Sequence, residues 1–145
     1  MTEEEKLTLY RRLKDYINNA RGYARHSGVT ITKVAEDYCE GELPITPDVC
    51  NYLGAVHGGC LATLADTVAG VAAASTGQGT VTINYGFSFL RQAKGSRVRC
   101  VAQSEKSGRT VKVFRCSLYD DREELVASGQ FTFFMTGPME DRYLG

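Results

Sequence analysis

The stretch Cys60–Phe89, CLATLADTVAGVAAASTGQGTVTINYGFSF, decides the fold. Its first half, Cys60–Ser75, is apolar on every side, with only Thr63, Asp66 and Thr67 interrupting small hydrophobic residues. A helix of that composition must be buried on most faces. It is short for a membrane span and carries a carboxylate, so a buried helix of a globular domain is the expectation. Gly77, Gln78 and Gly79 end it. In the second half Val81, Ile83, Tyr85, Phe87 and Phe89 alternate with Thr82, Asn84, Gly86 and Ser88, the period of a strand.

Outward from this stretch, β-rich runs cover roughly 96–105, 109–119 and 125–135, with Ser107-Gly108 and Asp120-Asp121 as hairpin turns. Upstream, Cys39, Gly41, Leu43 and Ile45 alternate with Glu40, Glu42 and Pro44, and the region from Val29 to Ile45 reads as two strands, with Pro44 at an edge or an end. Thr2 and Glu5 have capping-box spacing, and Leu9, Leu13, Tyr16 and Ile17 then share one helical face until Gly22 and Ser27-Gly28. The order is helix, two strands, one apolar helix, four strands. An antiparallel sheet needs a cover on one face, and only the central helix is apolar enough to supply it. The expectation is a single α+β domain over 1–145, one curled antiparallel sheet wrapped around one central helix, with an N-terminal helical segment (1–27) and a loose polar tail (138–145).

Seventeen basic and seventeen acidic residues cancel in a chain of 145. Nothing in that balance calls for nucleic acid or an anionic membrane. The five cysteines are odd in number, widely spaced and without a CxxC pair, which argues against a disulfide framework or a zinc site and for a cytoplasmic location. The charged N-terminus, Met1–Lys14, does not read as a signal peptide.

A carboxylate within a buried helix is costly unless it is paired, neutralised or functional. Asp66 could simply face solvent or cap a turn. Upstream of it, however, Asn51, Gly54, His57, Gly58 and Gly59 form N-x-x-G-x-x-H-G-G, and Asp66 follows Gly58 by about two helical turns. Glycines at a helix start leave backbone amides open to a ligand atom, at the positive end of the helix dipole. Such an end suits a developing oxyanion. A tight strand-to-helix turn would also use glycines.

The whole string, NYLGAVHGGCLATLADTVAG, resembles hotdog-fold acyl-CoA thioesterases of the PaaI-like, phenylacetate-degradation type. The resemblance runs from about Gly41 through the last strand. It implies hydrolysis of acyl- or aroyl-CoA to free acid and coenzyme A, with no cofactor, coenzyme A being part of the substrate. Asp66 matches the family's general base or nucleophile, and Gly58 the glycine whose N–H polarises the thioester carbonyl. Asn51 matches the asparagine orienting water or thioester, His57 the pocket histidine, and Thr82 a hydroxyl that assists the water. The resemblance further implies that these residues meet across two subunits, making a homodimer the minimal active unit, with a tetramer beyond it. Strand Val81–Phe89 is the expected pairing edge.

For the substrate, Gly59, Leu61, Leu64, Val68, Tyr85 and Phe87 are pocket candidates, and Arg91, Lys106 and Arg109 are candidates for the coenzyme A phosphates. Cys60 lacks a base partner and reads as packing, and His26 as a surface residue. Two other readings compete. A hotdog hydratase or dehydratase would pair a histidine with a carboxylate, whereas His57 belongs to the glycine turn. A non-catalytic acyl-CoA sensor would bind without hydrolysis.

Overall fold

The computed structural model describes residues 1–140. The elements in chain order are α1 (Glu3–Asn19), α2 (Tyr23–Ser27), β1 (Thr30–Ala35), β2 (Tyr38–Pro44), a 3-10 turn (Pro47–Val49), α3 (Gly58–Ala74), β3 (Gln78–Phe89), β4 (Arg97–Ser107), β5 (Val111–Tyr119) and β6 (Leu125–Pro138). The six strands form one sheet in the order β1-β2-β4-β5-β6-β3, with every pairing antiparallel. The chain leaves β2, crosses the sheet as α3 and returns as β3 on the opposite edge. The expected curled sheet around one helix is what the structure has.

Burial explains the wrapping. Leu64, Ala65, Val68, Ala69 and Ala72 of α3 are fully buried, facing Leu43, Cys100, Phe114, Cys116, Leu118, Phe131 and Phe133 from the strands. The helix lies so close to β2 that a Cβ at Gly41 would stand 2.6 Å from Val68 Cγ2, so only glycine fits there. The other polar residues of α3 satisfy themselves: Thr63 and Thr67 hydroxyls donate to the carbonyls of Gly59 (2.9 Å) and Thr63 (2.7 Å).

The capping box forms as its spacing predicts: Glu5 N–H donates to Thr2 Oγ1 at 3.1 Å, and Thr2 N–H to Glu5 Oε2 at 2.8 Å. Leu9 and Leu13 of α1 are buried. The segment breaks into two helices, because Ala20 is extended and Gly22 starts a separate turn that Gly28 closes at φ 100°. Asn18 ties the end of α1 to the free edge of β1: its Nδ2 donates to Ile31 O at 2.9 Å, and its Oδ1 accepts from Ile31 N–H at 2.7 Å.

The expected loose tail begins at 138. Of its described part, Pro138 closes β6, and Met139 packs against the core while its N–H donates to Gly77 O at 3.0 Å. Residues 141–145 lie outside the described residues.

The simple alternation read along β3 is corrected by a bulge. Thr80 and Thr82 pair with Met135 and Phe133, then the register shifts between Thr82 and Asn84, and Tyr85 and Phe87 pair with Phe131 and Gly129. Phe131, Phe133 and Met135 point into the core. One extra residue therefore turns Thr82 inward, although sequence parity had assigned it to the opposite face from Tyr85 and Phe87.

Candidate active site

The motif residues occupy the loop before α3 and its first two turns. Asn51 builds the loop: its Oδ1 accepts from the N–H groups of Leu53 (2.9 Å) and Ala55 (3.2 Å), and its own N–H donates to Ala55 O at 2.7 Å. Gly54 completes the turn at φ 83°, a left-handed conformation that suits glycine. His57 is the N-cap of α3, and its Nδ1 accepts from Gly59 N–H at 2.8 Å. The ring must therefore carry its proton on Nε2.

That cap separates the two glycines. Gly59 was expected to contact substrate, but its amide is already used by His57. Gly58 is the first helical residue, so its N–H has no carbonyl of the helix behind it. A Cβ at Gly58 would stand 3.2 Å from Phe89 Cζ, so the aromatic end of β3 lies against the side of this glycine where a side chain would be. Of the two glycine amides, Gly58's is the one available to a ligand.

Two turns further along α3, Asp66 is half-buried, and its Oδ1 accepts from Thr82 Oγ1 at 2.7 Å. The inward turn of Thr82 produced by the β3 bulge makes this bond. Both side chains line a cavity of about 660 Å³. Asp66 thus caps no turn and is only partly screened from solvent. It is held by one hydroxyl in the lining of a half-open cleft.

The remaining candidates separate by face. Leu61, Leu64 and Val68 were expected to line the substrate pocket, yet they are at most 4% exposed and pack on the sheet, on the side of α3 away from Asp66. Thr67, Gly70 and Val71 line the cavity instead. Tyr85 stacks on Phe131 with ring centres 4.8 Å apart, and Phe87 meets the same ring edge-on at 5.6 Å. Arg91 pairs with Glu124 at 3.1 Å. Lys106 and Arg109 are exposed at the β4–β5 hairpin, with β5 and β6 between β4 and β3. Cys60 is buried, which pushes its thiol up, though Ser27 bonds it and partly offsets this; it remains a packing thiol. His26 is exposed on α2.

One charged residue escaped the sequence reading. Lys112 of β5 is almost fully buried, and its ammonium donates to Asp37 Oδ1 (2.7 Å), Thr76 Oγ1 (3.0 Å) and Ala73 O (3.2 Å). It closes the C-terminal end of α3, opposite the glycine turn. The parity of Phe114, Cys116 and Leu118, carried back two residues, was the available signal.

Comparison with known proteins gives the family and the fold. The model of the Thioesterase superfamily matches residues 53–127, which include the glycine turn, Asp66 and Thr82. The proofreading thioesterase EntH of Cronobacter sakazakii is 29% identical over 100 residues, 67% of this chain and 73% of that protein. The PaaI protein of the phenylacetic acid degradation operon of E. coli superposes with a TM-score of 0.84 at 21% identity, covering 92% of this chain and 97% of that one. Protein smu.793 of Streptococcus mutans, solved bound to acetyl-CoA, gives 0.76 at 24% identity over 84% and 97% of the two chains. The fold is the hotdog fold these neighbours share.

Proposed function

This chain belongs to the Thioesterase superfamily and is a thioester hydrolase, and from that premise we propose that it cleaves acyl-CoA to free acid and coenzyme A in sites shared between two copies of the chain. The observation that carries the proposal is the placement of Asp66 and Gly58. They lie eight residues apart on one helix, about 12 Å along its axis, too far to act on one carbonyl carbon. A second copy removes the difficulty. β3 is an edge strand with an unpaired side, and Val81, Ile83, Tyr85 and Phe89 are all half or more exposed on the single chain. Such an edge invites another strand. Antiparallel pairing of two β3 strands about an axis between Tyr85 and Gly86 sets Thr82 opposite Phe89 of the second copy. Asp66 goes with Thr82 and Gly58 goes with Phe89, so the carboxylate of one chain faces the free amide of the other, twice per dimer. Further pairing into a tetramer is part of the proposal.

In this site the thioester oxygen accepts from Gly58 N–H, and Asp66 either takes a proton from the attacking water or attacks the carbonyl itself. Asn51 shapes the loop that carries the amide, His57 fixes its helix start and Thr82 orients the carboxylate. By the first route the carbon–oxygen bond forms from water, the carbon–sulfur bond breaks, and the proton taken up by Asp66 passes to the departing thiolate. By the second an acyl–Asp66 anhydride forms as the carbon–sulfur bond breaks. Water then hydrolyses it to free acid, restoring the carboxylate and supplying the thiolate's proton. A positioned carboxylate contributes on the order of 10²–10⁴-fold, and one oxyanion donor on the order of 10²–10³-fold. The reaction as written needs no cofactor. Arg91 follows the Gly58 end of β3 and the Lys106–Arg109 hairpin lies nearer the Asp66 end, so the same pairing brings both toward the phosphates of coenzyme A. The five thiols suit a reducing cytoplasm, and no described helix is long and apolar enough to cross a membrane.

The test is release of free thiol from a panel of acyl-CoA substrates. Asp66→Asn is expected to lower kcat by about 10²–10⁴-fold while still eluting as the wild-type oligomer. Undiminished turnover in that variant would overturn the role of Asp66, and binding of acyl-CoA without hydrolysis by wild type would favour a sensor.

A further inference from the structure

The cavity beyond Asp66 extends away from the glycine turn, between α3 and β3 toward the C-terminal end of the helix. From Asp66 to Ala74 it spans about 12 Å of helix axis, and its volume of about 660 Å³ is within the range of clefts that enclose small molecules. Its floor is built of residues with little or no side chain, Gly70, Ala74 and Gly79. Leu13, Tyr16 and Ile17 of α1 roof it, and Met139 closes its far end. The roof is fixed in place, since Asn18, the next residue along, makes its two bonds to the backbone of Ile31.

We propose that this chamber holds the acyl tail of the substrate, that it is shaped for a linear acyl group of medium length, and that Gly70 and Tyr16 set the length accepted. The inference rests on the thioesterase reading of Asp66. With a thioester carbonyl beside the carboxylate, the acyl group can lie along this half-open cleft. The chamber is long relative to a single aromatic ring, and its roof and far end come from the N-terminal helix and Met139, not from the motif. Gly70 is the gauge because a side chain there enters the space beside the path of the tail. A Cβ at Gly70 would stand 3.7 Å from Phe133 Cε1, an ordinary contact, so a methyl group is accepted without moving the core.

The experiment measures kcat/KM across butyryl-, hexanoyl-, octanoyl-, decanoyl-, tetradecanoyl- and phenylacetyl-CoA. Wild type is expected to gain up to about fourfold per added methylene toward decanoyl and then to level off. Gly70→Leu is expected to lower the decanoyl-to-butyryl ratio by at least about tenfold, and Gly70→Ala by less. Tyr16→Ala, at a side chain 40% exposed, moves the plateau toward tetradecanoyl. A ratio unchanged by Gly70→Leu, or a phenylacetyl thioester preferred over all the linear ones, overturns the proposal. Binding of S-decyl-coenzyme A, a thioether that cannot be hydrolysed, separates this from failure of the parent reading. If Gly70→Leu, shown to be folded by circular dichroism, loses that binding in an enzyme that hydrolyses nothing, the chamber stands and the hydrolysis falls. If it retains the binding, the chamber falls whatever the activity.

Discussion

Neutralising Asp37 is expected to harm the fold more than removing its cationic partner. The side chain of Lys112 is 4% exposed and that of Asp37 18% exposed, with 2.7 Å between ammonium and carboxylate. The ammonium also faces the last carbonyls of α3, a helix with no basic residue in its final turn, so it meets the negative pole of the helix dipole. Asp37 sits at φ 50°, which asparagine tolerates, so Asp37→Asn removes the charge and leaves the turn. The ammonium then stays buried among neutral acceptors. Breaking a buried pair from one side costs about 3–5 kcal/mol. The two remaining acceptors and the partial exposure of Asp37 lower the expectation to about 2–3 kcal/mol. Lys112→Met keeps the packed stem and leaves a carboxylate that water reaches. Ala73 O and Thr76 Oγ1 each lose a hydrogen bond, for a smaller cost of about 1–2 kcal/mol. The double variant should therefore be more stable than Asp37→Asn alone. Urea unfolding followed by circular dichroism, at one fixed protein concentration because oligomers gain stability by mass action, supplies the four stabilities. In a thermal scan Asp37→Asn should lower Tm by roughly 5–10 °C. Strictly additive effects, or a larger loss from Lys112→Met than from Asp37→Asn, would refute the reasoning.

Two further outcomes are expected. Thr82→Val removes the donor to Asp66 Oδ1 and should lower kcat about tenfold with little change in KM, whereas Thr82→Ser keeps most of the rate; equal rates for both would show that the bond does no positioning. At the β5–β6 turn, partial burial pushes the Asp120 carboxyl up, but the amides of Glu124, Lys94 and Arg122 together hold it below the usual carboxylate value, and the amide and hydroxyl of Ser96 do the same for Asp121. Folded values below unfolded ones mean that this stability is complete above about pH 4 and is lost as the pH falls through the folded values. The doubly substituted Asp120→Asn/Asp121→Asn protein should lose less stability between about pH 5 and pH 3 than wild type, read by denaturant unfolding.

The elements of this fold were legible because their signals are local. The apolar run around Asp66, the capping box at Thr2 and the turn residues at Gly108 and Asp120 each act within a few positions. The motif exposed Asp66 and Gly58 for the same reason. What sequence parity concealed came from tertiary register. The bulge beside Thr82 is a property of the pairing of β3 with β6, which the alternation along one strand does not carry. Leu61, Leu64 and Val68 were misplaced because a helix apolar all round gives no sign of which side meets the sheet and which borders a cavity. The capping of the Gly59 amide was not legible because histidine is an unusual N-cap, and only coordinates show the ring taking that N–H. Lys112 went unnoticed because a lysine in a strand is ordinarily read as solvent-facing.

The irregularity at Ile83 has a bearing on how such a strand can change. Ahead of it the ribbon offers hydroxyls to the helix, and past it, rings. Deleting that residue would restore a regular period with Thr82 still opposite Phe133 and still turned toward the carboxylate. One misfit position thus partitions a single strand into a reactive zone and an oily zone, and each can drift in composition without dragging the other along.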